Sequence, residues 1–243
     1  MITYNEEDNI EGALRSVQDA GEIIIVDSFS TDRTIEIARK YTDRVYQSSW
    51  QGFAKQKQQA IDLAEAEWVF LLDADERMTP ELKKEIEETI KNTSKNGFSV
   101  PRKNYFLKKW IRHSGWWPDY TLRLFRNGTG RIPYRAVHEK IVVDGETGYL
   151  KNPIIHYTYK NINQFIDKAQ RYSSLSAQEM HSGGRRFRLT NLLFNPPATF
   201  IKMYFIQQGF RDGLHGFVLA ILYSYYTFLK YIKLWEATEC TLE

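Results

Sequence analysis

The sequence predicts an α/β protein with a mostly parallel, Rossmann-like sheet flanked by helices, followed by a helical C-terminal appendage. Over residues 1–100, short apolar runs that end in aspartate alternate with stretches of helical periodicity. This alternation is typical of doubly wound parallel sheets. Residues 161–243 instead show long helical stretches interrupted by Gly and Pro.

The elements follow in order along the chain. Ile10, Ala13, Leu14 and Val17 share one face of a first predicted helix. The apolar runs at residues 22–26 and 68–72 are typical of buried parallel strands, and they lead into Asp27 and Asp73. Further predicted elements are helices through Lys40, over 54–66 and from Thr79-Pro80, strands over 98–101, 122–126, 140–143 and 154–159, and a helix over 161–180. Asn195-Pro196-Pro197 is predicted to break the next stretch, and two aromatic helices are predicted after it.

Composition excludes several classes of protein. The chain has 243 residues and a formal net charge of +3, which gives little support to a nucleic-acid partner. Its single cysteine, Cys240, excludes an internal disulfide framework and predicts a reducing compartment. The acidic, polar start at residues 1–8 does not resemble a secretory signal.

The charge is uneven along the chain. Residues 184–235 contain seven basic side chains and one acidic side chain, together with 13 of the 35 aromatic residues. Residues 213–229 contain no charged side chain, but a run of 17 is short for a membrane-spanning helix, which needs about 20. The segment is therefore predicted to lie at a membrane interface or, alternatively, to form a buried helical hairpin, with a true membrane span as a third reading.

Aspartates at the ends of two predicted strands mark the chemical centre. Ligands of doubly wound sheets bind at the carboxyl ends of the strands, where Asp27, Asp73 and Asp75 lie. Paired carboxylates can hold Mg²⁺ or Mn²⁺ together with substrate phosphates. The alternative is an acidic turn that caps the helix starting at Pro80.

Several motifs resemble one known family. They are Thr3-Tyr4-Asn5-Glu6-Glu7, residues 25–34, Leu72-Asp73-Ala74-Asp75-Glu76, Trp116-Trp117-Pro118-Asp119, Arg123-Leu124-Phe125-Arg126, Val137-His138-Glu139, Ile155-His156-Tyr157 and the aromatic C-terminal segment. Together they are similar to family 2 glycosyltransferases with the GT-A fold, nearest to the branch that adds glucose to heptose in the lipopolysaccharide core. The resemblance covers nearly the whole chain.

The resemblance implies a role for each matching residue. The loop that contains Thr3, Tyr4 and Glu6, with Asp27, would hold the base and ribose of a nucleotide, and Asp73 would lie near the ribose or metal. Asp75 and His156 would bind Mg²⁺ or Mn²⁺, and Glu139 would be the catalytic base. Many relatives have Asp-Asp-Gly where this chain has Asp27-Ser28-Phe29, so Phe29 is strained if that turn needs a positive φ.

Other candidates follow from the chemistry of transfer. Lys57, Arg123 and Arg126 are candidates for a clamp on the leaving diphosphate, and alternation along the strand predicts that Arg123 is exposed; a surface salt bridge is the alternative. Trp116, Trp117, Asp119 and His138 are candidates for contact with the acceptor or sugar. The alternatives are a hydrophobic anchor for the two tryptophans and simple packing for His138. The basic cluster at residues 185–188 is either a phosphate contact or a solvated helix start.

The combined prediction is a GT-A domain over residues 1–160 and a membrane-associating helical appendage over 161–243. The enzyme would be an inverting, metal-dependent transferase that moves a hexose, glucose from UDP-glucose, to a lipopolysaccharide-core sugar. It would be cytoplasmic and peripheral on the inner face of the cytoplasmic membrane. Alternatives are transfer to polyprenyl phosphate or a capsule glycan, a catalytically degenerate nucleotide-binding relative, and a membrane scaffold that binds no nucleotide.

Overall fold

The protein is represented by a computed structural model, which describes residues 1–133 and 140–239. The secondary structure elements, in chain order, are β1 (Ile2–Thr3), α1 (Glu7–Arg15), β2 (Ile25–Asp27), α2 (Thr34–Ala38), β3 (Val45–Gln47), α3 (Phe53–Asp62), β4 (Trp68–Phe70), β5 (Glu76–Met78), α4 (Pro80–Lys91), β6 (Gly97–Phe106), β7 (Lys109–Trp110), β8 (Asp119–Arg126), β9 (Gly130–Arg131), β10 (Val142–Val143), β11 (Thr147–Tyr149), β12 (Ile154–Tyr159), α5 (Ile162–Ser182), α6 (Leu189–Ile201), a π-helical turn (Lys202–Ile206), a 3-10 turn (Gly209–Asp212) and α7 (Leu214–Glu239).

The chain divides into two compact units. The α/β unit comprises Met1–Lys103 and Asp119–His156, and the helical unit comprises Asn104–Pro118 and Tyr157–Glu243. Strands β6 and β12 contribute residues to both units.

A small parallel sheet forms the first part of the α/β unit. Its strand order is β1-β2-β3, and Thr3 pairs with Asp27 where β1 and β2 end. Ile25 and Val26 are fully buried, as the apolar run predicts for a strand covered on both faces. Ile10 and Leu14 of α1 pack in one hydrophobic cluster with Ile25.

The second sheet differs from the prediction of mostly parallel pairing. Its main strand order is β4-β8-β6-β12-β5, and β4 with β8, β8 with β6, and β12 with β5 are antiparallel pairs. Parallel pairing in this sheet is found between β11 and β6. Residues 97–126 connect strand to strand without a helix, and antiparallel neighbours need no crossover helix.

Helix α4 begins as predicted. The Thr79 hydroxyl accepts a hydrogen bond from the Leu82 amide at 3.2 Å, and Pro80 occupies the first helical turn. Leu82 is fully buried in a cluster with Leu72 and Ile154, so the cap orients the helix against the second sheet.

Helices α5, α6 and α7 make up most of the helical unit. Helix α5 ends at Ser182 before Gly183 and Gly184, as predicted. The Lys233 ammonium on α7 donates to the Gln170 carbonyl at 2.7 Å and to the Ser173 hydroxyl at 2.9 Å, which ties α7 to α5. No helix in the described part of the chain is both long and apolar enough to cross a membrane.

The predicted break at Asn195-Pro196-Pro197 is wrong, because α6 runs through both prolines to Ile201. Two hydroxyl groups donate hydrogen bonds to backbone carbonyls in this stretch. Thr199 donates to the Asn195 carbonyl at 2.9 Å, and Ser224 on α7 donates to the Pro196 carbonyl at 2.8 Å. Packing against α7 accompanies the continuation of the helix, and a π-helical turn follows it at Lys202–Ile206.

Close backbone contact fixes the start of α7. A methyl group added at Gly216 would lie 1.9 Å from the Gly209 carbonyl oxygen, which belongs to the backbone of the 3-10 turn. Because a backbone atom cannot swing aside as a flexible side chain can, only glycine fits at Gly216.

We therefore expect Gly216→Ala to destabilise the helical unit by about 1–3 kcal/mol, as overpacking generally does. The gain in helix propensity, about 1 kcal/mol, offsets only part of this cost. Gly21→Ala is the control, since nothing lies within 4 Å of its added methyl group. Urea unfolding followed by circular dichroism measures both, and equal stability of the two variants would contradict the close contact.

Candidate functional site

Two polar loops meet at the carboxyl ends of β1 and β2, as predicted for adjacent parallel strands. The Asn5 amide donates to the Ser30 hydroxyl at 2.8 Å, and the Thr31 amide donates back to the Asn5 side-chain oxygen at 2.8 Å. The Glu6 amide donates to the Thr34 hydroxyl at 2.7 Å. These reciprocal bonds make the two loops one structural piece.

Asp27 is fully buried within this piece. Its carboxylate accepts from the Thr3 hydroxyl at 3.0 Å, from the Ser30 amide at 2.8 Å, and from the Ser30 hydroxyl. Both oxygens are therefore used to shape the turn. The role of Asp27 in holding a nucleotide base remains a prediction.

Two exposed aromatic side chains lie on the same pair of loops. Tyr4 is 57% exposed, and Phe29 is 55% exposed with a φ of 60°. Positive φ at a bulky residue costs about 1–3 kcal/mol and is often found where function needs the strain. The sequence predicted strain at Phe29 but not the exposure of its ring. The signal for that exposure was a large aromatic residue at a turn position where glycine is typical.

The turn from Asp73 to Glu76 is locked by its own hydrogen bonds. The Asp73 amide donates to the Glu76 carboxylate at 3.0 Å, and the Glu76 amide donates to the Asp73 carbonyl at 3.0 Å. Glu76 is completely buried, so it must be paired. Glu76 was not predicted as a site residue, because a glutamate after two aspartates reads as one more exposed acid.

Arg123 compensates this buried charge. Its guanidinium donates to Asp73 at 2.8 Å and also to Glu76, and the Lys57 ammonium lies 2.9 Å from the other Asp73 oxygen. Burial alone would raise the pKa of Asp73, but Arg123 and then Lys57 outweigh burial and hold that pKa well below its usual range. Asp73 is therefore ionised and fixed in direction.

The predicted exposure of Arg123 is wrong, since only 4% of the residue is accessible. Alternation along β8 predicted a solvent-facing arginine, but its side chain points to Asp73 and Glu76, which require a counter-charge. The structure also does not bring Arg126 to this place. Arg126 pairs with Trp68 at the beginning of β4, with its guanidinium 4.6 Å from the Trp68 ring centre, whereas Asp73 follows the other end of that strand.

Arg102 extends the charge network to Asp119. Two nitrogens of Arg102 donate to one Asp119 oxygen at 3.0 and 2.7 Å, and a third nitrogen lies 3.9 Å from Glu76. Asp119, predicted to contact the acceptor or sugar, is thus held in the same network as Asp73.

Asp75 and His156, the two predicted metal ligands, lie side by side. The antiparallel pairing of β12 with β5 places His156 opposite Glu76, and its Nε2 is 3.4 Å from an Asp75 carboxylate oxygen. Within residues 1–133 and 140–239, no group of three or more His, Cys, Asp or Glu side chains converges on a metal position. Two protein donors nevertheless fit Mg²⁺ or Mn²⁺, which commonly take their remaining ligands from substrate phosphates and water.

The remaining predicted site residues are Trp116, Trp117, His138 and Glu139. Trp116 belongs to the core of the helical unit, 8% exposed and edge-on to Phe106 at 6.3 Å, so it offers no free face to a sugar. Trp117 is half-buried and edge-on to Trp110 at 5.4 Å. His138 and Glu139 lie outside the described residues.

Comparison with known proteins identifies the family. A family model described as glycosyl transferase family 2 matches residues 1–158, and the chain belongs to this family. It is 32% identical over 244 residues to a protein of Rhizobium meliloti (strain 1021) named lipopolysaccharide core biosynthesis glycosyltransferase LpsC. That alignment covers 97% of this chain and 90% of the relative. The protein is therefore a glycosyltransferase, as predicted.

Solved structures confirm the GT-A type of α/β fold. A Pyrobaculum calidifontis mannosyltransferase, PcManGT in complex with GDP-Man and Mn²⁺, is similar at a TM-score of 0.55 and 16% identity, covering 98% of this chain and 86% of that one. S. aureus TarS 1-349 in complex with UDP is similar at a TM-score of 0.50 and 15% identity, covering 97% and 89%.

We expect Arg123→Met to destabilise the α/β unit by about 3–5 kcal/mol, because it leaves buried Glu76 without its main counter-charge. Adding Glu76→Gln should restore part of the loss. Arg131→Met is the matched control: its partner is Asp144, both side chains are more than half exposed, and such a pair contributes about 0–1 kcal/mol. Urea unfolding measures all three, and equal losses for the two single arginine variants would contradict this account.

Proposed function

We propose that this glycosyltransferase moves a hexose from a UDP-sugar to a sugar of the lipopolysaccharide core, in one displacement that inverts the anomeric carbon. The observation that supports it best is the Asp73–Glu76 turn, held by Lys57 and Arg123 in the same unit as the joined loops after β1 and β2. The relative named for lipopolysaccharide core biosynthesis supports this class of acceptor. Polyprenyl phosphate and a capsule glycan are the alternative acceptors.

In this proposal the loops after β1 and β2 bind the nucleoside. Tyr4 and Phe29 have exposed rings that can stack on a base. Thr3, Glu6 and Asp27 shape the loops or contact the nucleoside directly. Asp73, pinned on both oxygens, borders the ribose or the metal, and Lys57 adds positive charge beside the diphosphate.

Asp75 and His156 would hold the divalent cation. When bound, the cation neutralises negative charge on the leaving diphosphate. Because Arg123 is buried and one of its nitrogens donates to both carboxylates, it positions Asp73 rather than clamping phosphate. We propose Glu139 as the base that accepts the proton of the acceptor hydroxyl while the new bond to the anomeric carbon forms and the bond to the diphosphate breaks.

We further propose that the helical unit attaches the enzyme to the inner face of the cytoplasmic membrane. On α7, the side chains of Leu214, Phe217, Ile221, Tyr225 and Phe228 recur every three or four residues, and each is at least 39% exposed. The other exposed large apolar residues of segment 184–235 are Leu189, Leu193, Phe194, Ile201, Phe205, Ile206, Phe210 and Trp235.

Charge favours an anionic lipid surface as the partner of this apolar face. The one acidic residue of segment 184–235, Asp212, is buried, where its carboxylate accepts from the His113 amide at 2.8 Å. Arg185, Arg186, Arg188, Lys202 and Arg211 are exposed in the same segment. An apolar face bordered by basic side chains is typical of interfacial helices.

The donor site is tested by calorimetric titration of UDP in the presence of Mn²⁺. We expect binding that EDTA abolishes and that Asp75→Ala and His156→Ala weaken at least about tenfold, through loss of metal ligands. Asp144→Ala, which removes an exposed carboxylate, is the matched control and should bind normally. If neither EDTA nor Asp75→Ala lowers the affinity for UDP, the assignment of Asp75 as a metal ligand is contradicted.

The same experiment with turnover separates binding from catalysis. Glu139→Gln should bind UDP within a few-fold of the intact chain yet lose about 10²–10⁴-fold in transfer from UDP-hexose, because a base acts in the transition state. An equal loss of UDP affinity would assign Glu139 to donor binding instead.

Membrane attachment is tested by vesicle flotation. We expect the triple variant Phe194→Ser, Ile206→Ser, Leu214→Ser to partition at least about tenfold less to phosphatidylglycerol vesicles, because each native side chain would bury apolar surface in the membrane and serine would not. The control, Trp50→Ser, Val142→Ser, Tyr149→Ser, removes exposed apolar side chains of the α/β unit and should leave partition unchanged. Equal partition of the two variants would exclude this face.

A further inference from the structure

A cavity lined by basic side chains lies in the helical unit. Its volume is about 490 Å³, and it lies between the end of α5, the start of α6 and the last part of α7. The lining residues are Met180, Gly184, Arg185, Arg186, Arg188, Asn191, Tyr231 and Leu234. The volume is within the range of small-molecule sites, about 300–1,000 Å³.

The positive charge of this cavity is not neutralised by the protein. Within residues 1–133 and 140–239, none of Arg185, Arg186 and Arg188 forms an ion pair with an acidic side chain. The lining contains no carboxylate. Burial and, after it, the charge of Arg185 lower the pKa of the neighbouring Lys230.

Further donors surround the same space. Arg188 is the N-cap of α6, and its side chain makes no capping hydrogen bond. The first turn of α6 contains no acidic residue, so the partial positive charge at this helix N-terminus has no acidic partner there. Asn191 and Tyr231 add an amide and a phenol to the lining. Guanidinium groups match phosphate oxygens in two-point hydrogen bonds, and three of them suit a dianion better than a monoanion.

Apolar surface begins directly beside the cavity. Leu189, Leu193 and Phe194 follow Arg188 on α6 and are 59%, 57% and 68% exposed, and Trp235 follows the lining residue Leu234. A ligand with a phosphate at one end and an apolar chain at the other would therefore meet matching surfaces. A soluble phosphorylated sugar would use the arginines alone.

We propose that Arg185, Arg186 and Arg188 form a binding site for a phosphomonoester group, carried by a lipid or by a soluble phosphorylated molecule. The site is separate from the donor site and depends on the cavity, not on the bilayer attachment proposed above. In an enzyme that works on a membrane-bound glycan, it would fix one phosphate of the membrane or of the acceptor.

The test compares two charge-matched variants in EDTA, which removes metal-dependent phosphate binding at the donor site. The test variant is Arg185→Gln, Arg186→Gln, Arg188→Gln. The control, Lys84→Gln, Lys91→Gln, Lys151→Gln, removes three exposed charges from the α/β unit. Calorimetry with glycerol 3-phosphate should show affinity at least about tenfold lower in the arginine variant and within about twofold of the intact chain in the lysine variant.

A vesicle arm identifies the source of the phosphate. If it is a lipid, the intact chain should prefer phosphatidate to phosphatidylglycerol vesicles of equal zeta potential, and the arginine variant should lose that preference. Glycerol 3-phosphate binding without a vesicle preference assigns the site to a soluble ligand.

Two outcomes would overturn the proposal: equal losses in the arginine and lysine variants, or no binding of either probe to the intact chain. The variant Phe194→Ser, Ile206→Ser, Leu214→Ser keeps the two proposals apart, since it should release vesicles and still bind glycerol 3-phosphate.

Discussion

Two carboxylates, those of Asp73 and Glu76, meet one guanidinium, that of Arg123, inside the α/β unit. Removing three charges from water costs free energy that their attraction only partly returns, so such a cluster is better understood as fixing a conformation than as adding stability. Here it fixes the turn that follows β4, and through Lys57 it sets the direction of Asp73. The placement of Asp75 beside His156 depends on that same turn.

Local signals in the sequence predicted the local parts of this arrangement. The apolar run ending at Asp27 located the end of β2, and Thr79-Pro80 located the start of α4, because caps and strand ends are encoded within a few residues. The run ending at Asp73 located β4 less well, since that strand ends at Phe70. The antiparallel pairing of β8 with β4 was not predicted, since it joins distant parts of the chain, such as Trp68 with Arg126 and Phe70 with Leu124. The burial of Arg123 follows from that pairing and was missed with it.

For the helical unit, the sequence predicted the composition of the surface but not which side chains form it. Its basic, aromatic character was evident from the sequence, but which side chains face solvent was not, because a helix that is apolar almost all round has no single predicted face. The prolines of α6 misled for a related reason: the helix packs against α7, to which Ser224 belongs, and that packing is not visible in the local sequence. The arginines at residues 185–188 became informative only once the structure showed a cavity between them and α7.

The distance along the chain between Glu76 and its arginine also bears on the order of folding during synthesis. Arg123 follows Glu76 by 47 residues, which a ribosome adds in roughly 2–10 seconds. Through that interval the nascent chain carries the carboxylates of the turn without this guanidinium, and β4 has no β8 to pair with. The turn that carries the candidate metal ligand Asp75 therefore cannot reach its final arrangement before β8 has been synthesised.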